Sequence, residues 1–207
     1  MKNYSYKQIK EIVIASTNRN KLKEFSELFK ELNIVLYLQS EFGINYNEEN
    51  NNTFFENALN KARHVSRLTG LPALAEDSGL CVESLQNKPG IFSARYASNN
   101  RSSNDIDNNK LLIKNLEGIK NRNAYYISNI VLIRNPNDYV PIMTYGICKG
   151  TIVDEPFGTN GFGYDPHFFL PSIGKTMASI SINEKNNISH RSIASKKLIQ
   201  ELNLINN

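Results

Sequence analysis

Cysteine is scarce in this chain. Its 207 residues include two, Cys81 and Cys148, far apart and outside any CxxC or Cys/His ligand spacing, so neither a disulfide scaffold nor a zinc site is indicated. A reduced, cytoplasmic protein is the expectation. The first ten residues, MKNYSYKQIK, hold no apolar h-region, and no stretch approaches the ~18 apolar residues of a membrane span. Long runs of like charge are missing too. The net charge of +4 comes from 24 Lys and Arg against 20 Asp and Glu, spread along the chain, which suits a polyanionic small ligand and gives no sign of a nucleic-acid tail. No nucleic-acid or membrane partner is expected. Two nucleotide motifs also fail. The segment PSIGKT would need glycine where Phe169 stands to be a P-loop, and a GxGxxG begun at Gly161 and Gly163 meets Pro166 at its last position.

What is present is a chain of 23.5 kDa with 40% hydrophobic residues, enough to bury a core within one domain or two lobes. The β-branched run Ile12 to Ser16 predicts a buried strand, followed by an amphipathic helix over Lys21 to Leu32 on the spacing of Leu22, Phe25, Phe29 and Leu32. A second helix starts at the capping box TFFE, Thr53 to Glu56, and ends near Gly70. Leu71 to Ala75 and Leu80 to Leu85 predict two strands with a glycine turn between them, and Asp105 to Leu116 a helix. A long hairpin is expected over AYYISNIVLIR and YVPIMTYGICKGTIV, then a short strand HFFLP and a last helix over Ser189 to Leu202. Mixed strands and helices without strict alternation predict an α/β fold with a mixed sheet. About one residue in seven is asparagine, crowded at 50–52, 99–109 and 186–187, which reads as polar loop filling with no packing role.

Four stretches carry chemistry. STNRNK, comprising Ser16, Thr17, Asn18, Arg19, Asn20 and Lys21, lies at a strand-to-helix turn, where outward backbone N–H groups, side-chain donors and one ammonium form a phosphate cradle; a plain helix cap is the competing reading. Glu48 and Glu49 in NEEN, with Glu76 and Asp77 in AEDSG, form a carboxylate set from which one acid of each pair suits Mg²⁺, a hard cation that prefers oxygen. Asp77 is the stronger candidate. GTNGFGYDP, Gly158 to Pro166, combines glycines that permit close backbone approach with aromatics that can stack on a nucleobase, against the alternative of a rigid turn around buried rings. Lys185, His190 and Arg191 lie at the mouth of the last helix, where donors suit a base carbonyl or a phosphate.

Strand-ST-x-NK-helix, TFFENALNKAR, LAEDSGLCVESLQNKPGIFSARYAS, GFGYDPHFF and SHR occur in this order and resemble the inosine triphosphate pyrophosphatase family of purine nucleotide pyrophosphatases. The resemblance covers about Ile12 to Leu202. It implies an elongated mixed β-sheet with flanking helices, as one domain over 11–207 with two lobes around a central cleft, preceded by an extension at 1–10. It implies an enzyme that converts ITP, dITP and XTP to the monophosphate and pyrophosphate with Mg²⁺, usually as a homodimer. By motif, Ser16 to Lys21 would contact the triphosphate with Lys61 nearby, and Glu48 and Asp77 would hold the metal. Asp77 would also be the general base and Ser78 would touch substrate. Phe162, Gly163, Tyr164, Asp165, Lys185, His190 and Arg191 would form the nucleoside side. Glu76 stands where many members have Asp, and His167 replaces a usual aliphatic residue. The rival reading, a septum-inhibitor-like pyrophosphatase acting on pyrimidine or methylated nucleotides, is opposed by SHR and GFGYDP. A nucleotide- or RNA-binding module without catalysis is opposed by Asp77, Glu48 and Lys21 together.

Overall fold

The apolar runs and capping signals become an eight-stranded mixed sheet flanked by helices. The structure, a computed structural model, describes residues 9–45, 51–98 and 103–206. In chain order the elements are β1 (Glu11–Ile14), α1 (Arg19–Phe29), β2 (Val35–Leu38), α2 (Phe54–Thr69), β3 (Ala73–Val82), β4 (Lys88–Pro89) and α3 (Asp105–Asn115). The chain continues with β5 (Asn123–Ile133), β6 (Ile142–Ile152), β7 (Phe168–Leu170), β8 (Lys175–Thr176), α4 (Ile182–Ile188) and α5 (His190–Asn206). The hydrogen-bonded order is β2-β1-β3-β5-β6-β7-β8, with β4 on β3. β1 runs parallel to β2 and β3, whereas β4, β7 and β8 pair antiparallel with their neighbours. The expected α/β class with a mixed sheet is what the chain forms.

Two compact units divide the chain. The first comprises Met1–Asp77, Asn129–Tyr145 and Ala194–Asn207. Alternation along its strands sends Ile12, Ile14, Leu74, Ile130 and Leu132 to one side, against Phe25 and Phe29 of α1 and Ala194, Leu198 and Leu202 of α5. Val13, Ala15, Ala73, Ala75, Val131 and Ile133 go to the other, against Ala58, Ala62 and Val65 of α2. Phe25 and Phe29 meet edge to face at 5.9 Å, and burying each ring contributes roughly 1.5–3 kcal/mol. Small alanines on both sides let α2 lie close to the sheet. Thr53 caps that helix by accepting the Glu56 N–H at 3.2 Å, and Gly70 closes it at φ +70°, a left-handed position suited to glycine.

The second unit comprises Ser78–Ser128 and Gly146–Ile193. Its core gathers Leu80 and Val82 of β3, Ala124 and Tyr126 of β5, Cys148 and Ile152 of β6, and Phe168 and Leu170 of β7 under Leu112 of α3 and Leu116 at its C-cap.

Three expectations are corrected. The segments LPALA and LCVESL are not two strands about a glycine turn: β3 runs unbroken for 10 residues. The period-2 alternation carries on through Asp77, Ser78 and Gly79, so Leu80 and Val82 stay in phase with Leu74 and a turn has nothing to gain. The asparagine clusters are not mere loop filling. Asn108 is buried; its Oδ1 accepts from the Ala97 N–H at 2.9 Å and from the Ser103 hydroxyl at 2.5 Å. Finally, Asn186 and Asn187, expected in a loop, lie within a helix. Ser181 and Glu184 form a capping box that starts α4, a short S-x-x-E signal that the sequence displays.

Candidate active site

In the first unit, β1 delivers the chain into the Ser16–Lys21 turn and α1 begins at Arg19. Ser16 Oγ accepts the Asn18 N–H at 3.1 Å, a local turn that leads into the helix. Thr17, Asn18 and Arg19 are exposed, and the first turn of α1 carries no acidic residue to offset the helix dipole. The Asn20 side chain lies outside what the structure describes. Lys21 turns back to the sheet: its ammonium lies 3.3 Å from Glu76 Oε2.

The strand alternation then separates two neighbouring acids. Glu76 points to the α1 side with Leu74, and Asp77 points to the α2 side with Ala73 and Ala75. Both are about 95% buried, at 4% and 5% exposure. On α2, Asn57 and Lys61 lie four residues apart and therefore on one face. Lys61 Nζ donates to Asp77 Oδ1 at 3.1 Å and to the Glu76 carbonyl at 3.0 Å. Asn57 Nδ2 donates to the other carboxylate oxygen, Oδ2, at 3.0 Å. Asn57 Oδ1 in turn accepts from the Asn51 backbone N–H and side-chain amide, both at 3.1 Å. The result is a carboxylate fixed at both oxygens by a buried ammonium and a buried amide. Burying such a pair is costly unless hydrogen bonds complete it, and here they do.

The carboxylate of Asp77 suits a hard cation by donor type, but Glu76, turned to the opposite side and paired with Lys21, does not converge on it. Among the described residues no group of three or more His, Cys, Asp or Glu could hold a metal. Glu48 and Glu49 lie outside the described residues.

In the second unit, Ser78 follows Asp77 along β3 and is partly buried. The GFGYDP loop, α4 and the start of α5 meet there. Lys185 Nζ donates to Asp165 Oδ2 at 2.7 Å, and the same oxygen accepts the Phe162 N–H at 3.2 Å. The Phe162 ring, 41% exposed, has the Lys185 ammonium 5.1 Å and the Arg191 guanidinium carbon 6.0 Å from its centroid. Both cations favour the ring face. His190 stacks on Tyr126 at 4.8 Å and 13°. Burial, and then the hydrogen-bonded Asp165 carboxylate, push the Tyr126 hydroxyl well above its ordinary pKa, so this phenol stays protonated. Tyr164 is also buried and donates to the Ser93 carbonyl at 2.8 Å; its side chain supports the loop from beneath. His167 holds the Val153 carbonyl at 2.9 Å through Nδ1, a structural bond.

Three residues escaped the sequence reading. Asn57 had a signal in its four-residue spacing from Lys61. Asp105 and Asn109 touch the Gly163 backbone, and only their shared helix face hinted at it.

The fold and these groups define a mixed-sheet α/β protein with a buried lysine–carboxylate centre at a strand and an aromatic, cation-flanked loop. The profile of the Ham1 family matches residues 12–201, and the chain belongs to that family. It is 52% identical to the dITP/XTP pyrophosphatase of Nitrosomonas europaea over 92% of this chain and 93% of that one. It is 49% identical to the dITP/XTP pyrophosphatase of Chromobacterium violaceum, covering 93% and 96%. A solved HAM1 protein from Coxiella burnetii superposes with a TM-score of 0.89 at 44% identity, covering 94% of this chain and 99% of that one. The Ham1 protein of Staphylococcus aureus gives 0.84 at 37%, covering 94% and 98%.

Proposed function

We propose that this chain is a nucleoside triphosphate pyrophosphatase that hydrolyses the non-canonical purine nucleotides ITP, dITP and XTP to the monophosphate and pyrophosphate, cleansing the nucleotide pool. The observation that carries the reading is Asp77, held at both oxygens by Lys61 and Asn57 next to the Lys21–Glu76 pair. Membership of a family whose relatives are dITP/XTP pyrophosphatases supports the substrate class.

In this reading Asp77 is the catalytic residue, the base that takes a proton from water aimed at the α-phosphorus. Lys61 and Asn57 fix the direction of that carboxylate. Ser16 through Lys21 bind the triphosphate with the α1 N-terminus behind them, and Lys61 adds a second ammonium. Asp77 and Glu48 would hold Mg²⁺, an ion suited to oxygen ligands that keeps several waters. When bound, the metal would supply neutralisation of charge on the departing pyrophosphate. Ser78 touches the substrate beside the base. Phe162, Gly163, Tyr164, Asp165, Lys185, His190 and Arg191 take the nucleoside, Phe162 stacking on the purine and Arg191 or backbone amides meeting its O6.

Adenine presents an amino group where hypoxanthine and xanthine present a carbonyl, so donors aimed at O6 would be left unpaired against ATP, and such sites reject by ~10⁴ or more. Guanine shares O6 and must be excluded at C2. Comparing kcat/KM for ITP and GTP tests the reading. A clear preference for ITP is expected; equal values refute the purine-editing role. A homodimer is part of the proposal, supported by the exposed apolar side chains Tyr139, Val140, Met143 and Tyr145. A cytoplasmic location is supported by two free, buried cysteines.

A further inference from the structure

The loop that carries Phe162 is gripped by a helix that no motif assigns to the site. Gly163 follows Phe162 in a left-handed conformation, φ +64°, and both of its backbone polar groups bond to α3. Its N–H donates to Asp105 Oδ2 at 2.6 Å, a short, charge-assisted bond. Its carbonyl accepts from Asn109 Nδ2 at 2.9 Å. The same amide nitrogen donates to the Asp105 carbonyl at 2.8 Å, tying the two clamp residues to each other one helical turn apart. On the other side of the ring, the Phe162 N–H is held by Asp165. The backbone is thus pinned on both sides of the one partly exposed aromatic of the loop.

The helix supplying the clamp is itself anchored. Asn104 caps it by accepting the Asp107 N–H at 2.8 Å, and Asn108 bonds to Ala97, while Leu112 and Leu116 enter the core of the second unit. An anchored helix can transmit its position to a loop; a free one cannot.

We infer that Asp105 and Asn109 are positioning residues that fix the Phe162 ring for purine stacking, and so set how tightly and how selectively the base is held. The inference rests on the reading of Phe162 as the base platform. Neither residue touches the substrate. Their effect therefore falls on KM and on base discrimination, with the chemistry at Asp77 untouched.

The test compares steady-state kinetics of ITP and GTP hydrolysis, with thermal unfolding measured in parallel, for a set of full-length variants. Asp105→Ala/Asn109→Ala is expected to raise the KM for ITP by about tenfold and to narrow the ITP-over-GTP ratio, with kcat changed by less than about threefold. Asp105→Asn keeps an oxygen that can accept the Gly163 N–H and is expected to stay within about threefold of the parent KM. That rescue separates positioning from a helix-dipole role, since Asn lacks the charge and a dipole role would make Asp105→Asn as harmful as Asp105→Ala. Asp107→Ala is the second control: it weakens the same first turn without touching Gly163 and should leave KM unchanged. A double variant with parental KM and selectivity overturns the inference, as does an Asp107→Ala effect equal to it. Phe162→Ala distinguishes the two levels. If it raises KM and the double variant does not, the clamp alone is wrong; if it leaves KM unchanged, the base-platform reading fails and the clamp falls with it.

Discussion

Replacing Asp77 by Asn is nearly isosteric, yet the hydrogen-bond inventory around it is exacting. The carboxylate accepts from Lys61 Nζ at Oδ1 and from Asn57 Nδ2 at Oδ2. An amide has one acceptor oxygen, so whichever way Asn is turned, its NH₂ faces a donor. Rotating Asn57 does not repair this, because its Oδ1 is already used by Asn51. One buried donor loses its acceptor, which costs about 1–3 kcal/mol, and the 5%-exposed Lys61 loses a counter-charge. Removing one partner of such a pair costs about 3–5 kcal/mol at most. The Glu76 carbonyl on Lys61 softens this, and a net loss of about 2–3 kcal/mol is expected. Turnover should fall by roughly 10²-fold or more, the usual contribution of a general base. The assay is pyrophosphate release from ITP with Mg²⁺, run beside urea unfolding so that loss of fold is not mistaken for loss of chemistry. Asp77→Asn/Lys61→Met removes the stranded ammonium and should recover stability without recovering turnover. Near-normal turnover by a folded Asp77→Asn enzyme refutes the base assignment.

Other outcomes follow from the same geometry. Burial pushes the Cys81 thiol up, and burial followed by the Asp165 carboxylate pushes Cys148 up to about 11; Ellman's reagent at pH 8 should therefore find no reactive thiol in the native protein and both in denaturant. Asp138, buried at the β5–β6 connection, accepts from the Arg134 backbone, the Arg134 guanidinium and the Val140 N–H. Burial alone would raise its pKa, but these bonds win and hold it below the usual 3.8. Its contribution is thus complete above the unfolded value and is lost as pH falls through the folded one. Asp138→Ala should cost about 2 kcal/mol at pH 7 in a urea melt, with the deficit shrinking below about pH 4; a deficit independent of pH contradicts the ion pairing.

Most of the architecture was legible because strong local signals coincided with the tertiary outcome. The Thr53 cap, the Gly70 stop and the Phe25/Phe29 spacing each state an element on their own. The continuous β3 was hidden because Ser78 and Gly79 carry turn propensity, which tertiary pairing on both sides overrides. Strand β2 was missed although Ile34 to Leu38 is apolar, since four residues give too little periodicity to separate strand from loop. At the site, the acids and lysines announced themselves by type. Their division did not: only the alternation of a strand that runs straight through them gives Glu76 to Lys21 and Asp77 to Lys61. Asn57 and Asn109 were hard to single out for a different reason, because in an asparagine-rich chain helical spacing alone marks no asparagine until its partners are known, and Asp105 reads equally well as a first-turn helix acid.

The most direct measurement is ³¹P NMR of the products of ITP turnover, made with the intact protein and Mg²⁺ in ¹⁸O-water. Inosine monophosphate carrying the isotope, with unlabelled pyrophosphate, is expected, because water attacks the α-phosphorus. Label in the pyrophosphate, release of orthophosphate and diphosphate nucleotide, or intact ITP would contradict this chemistry.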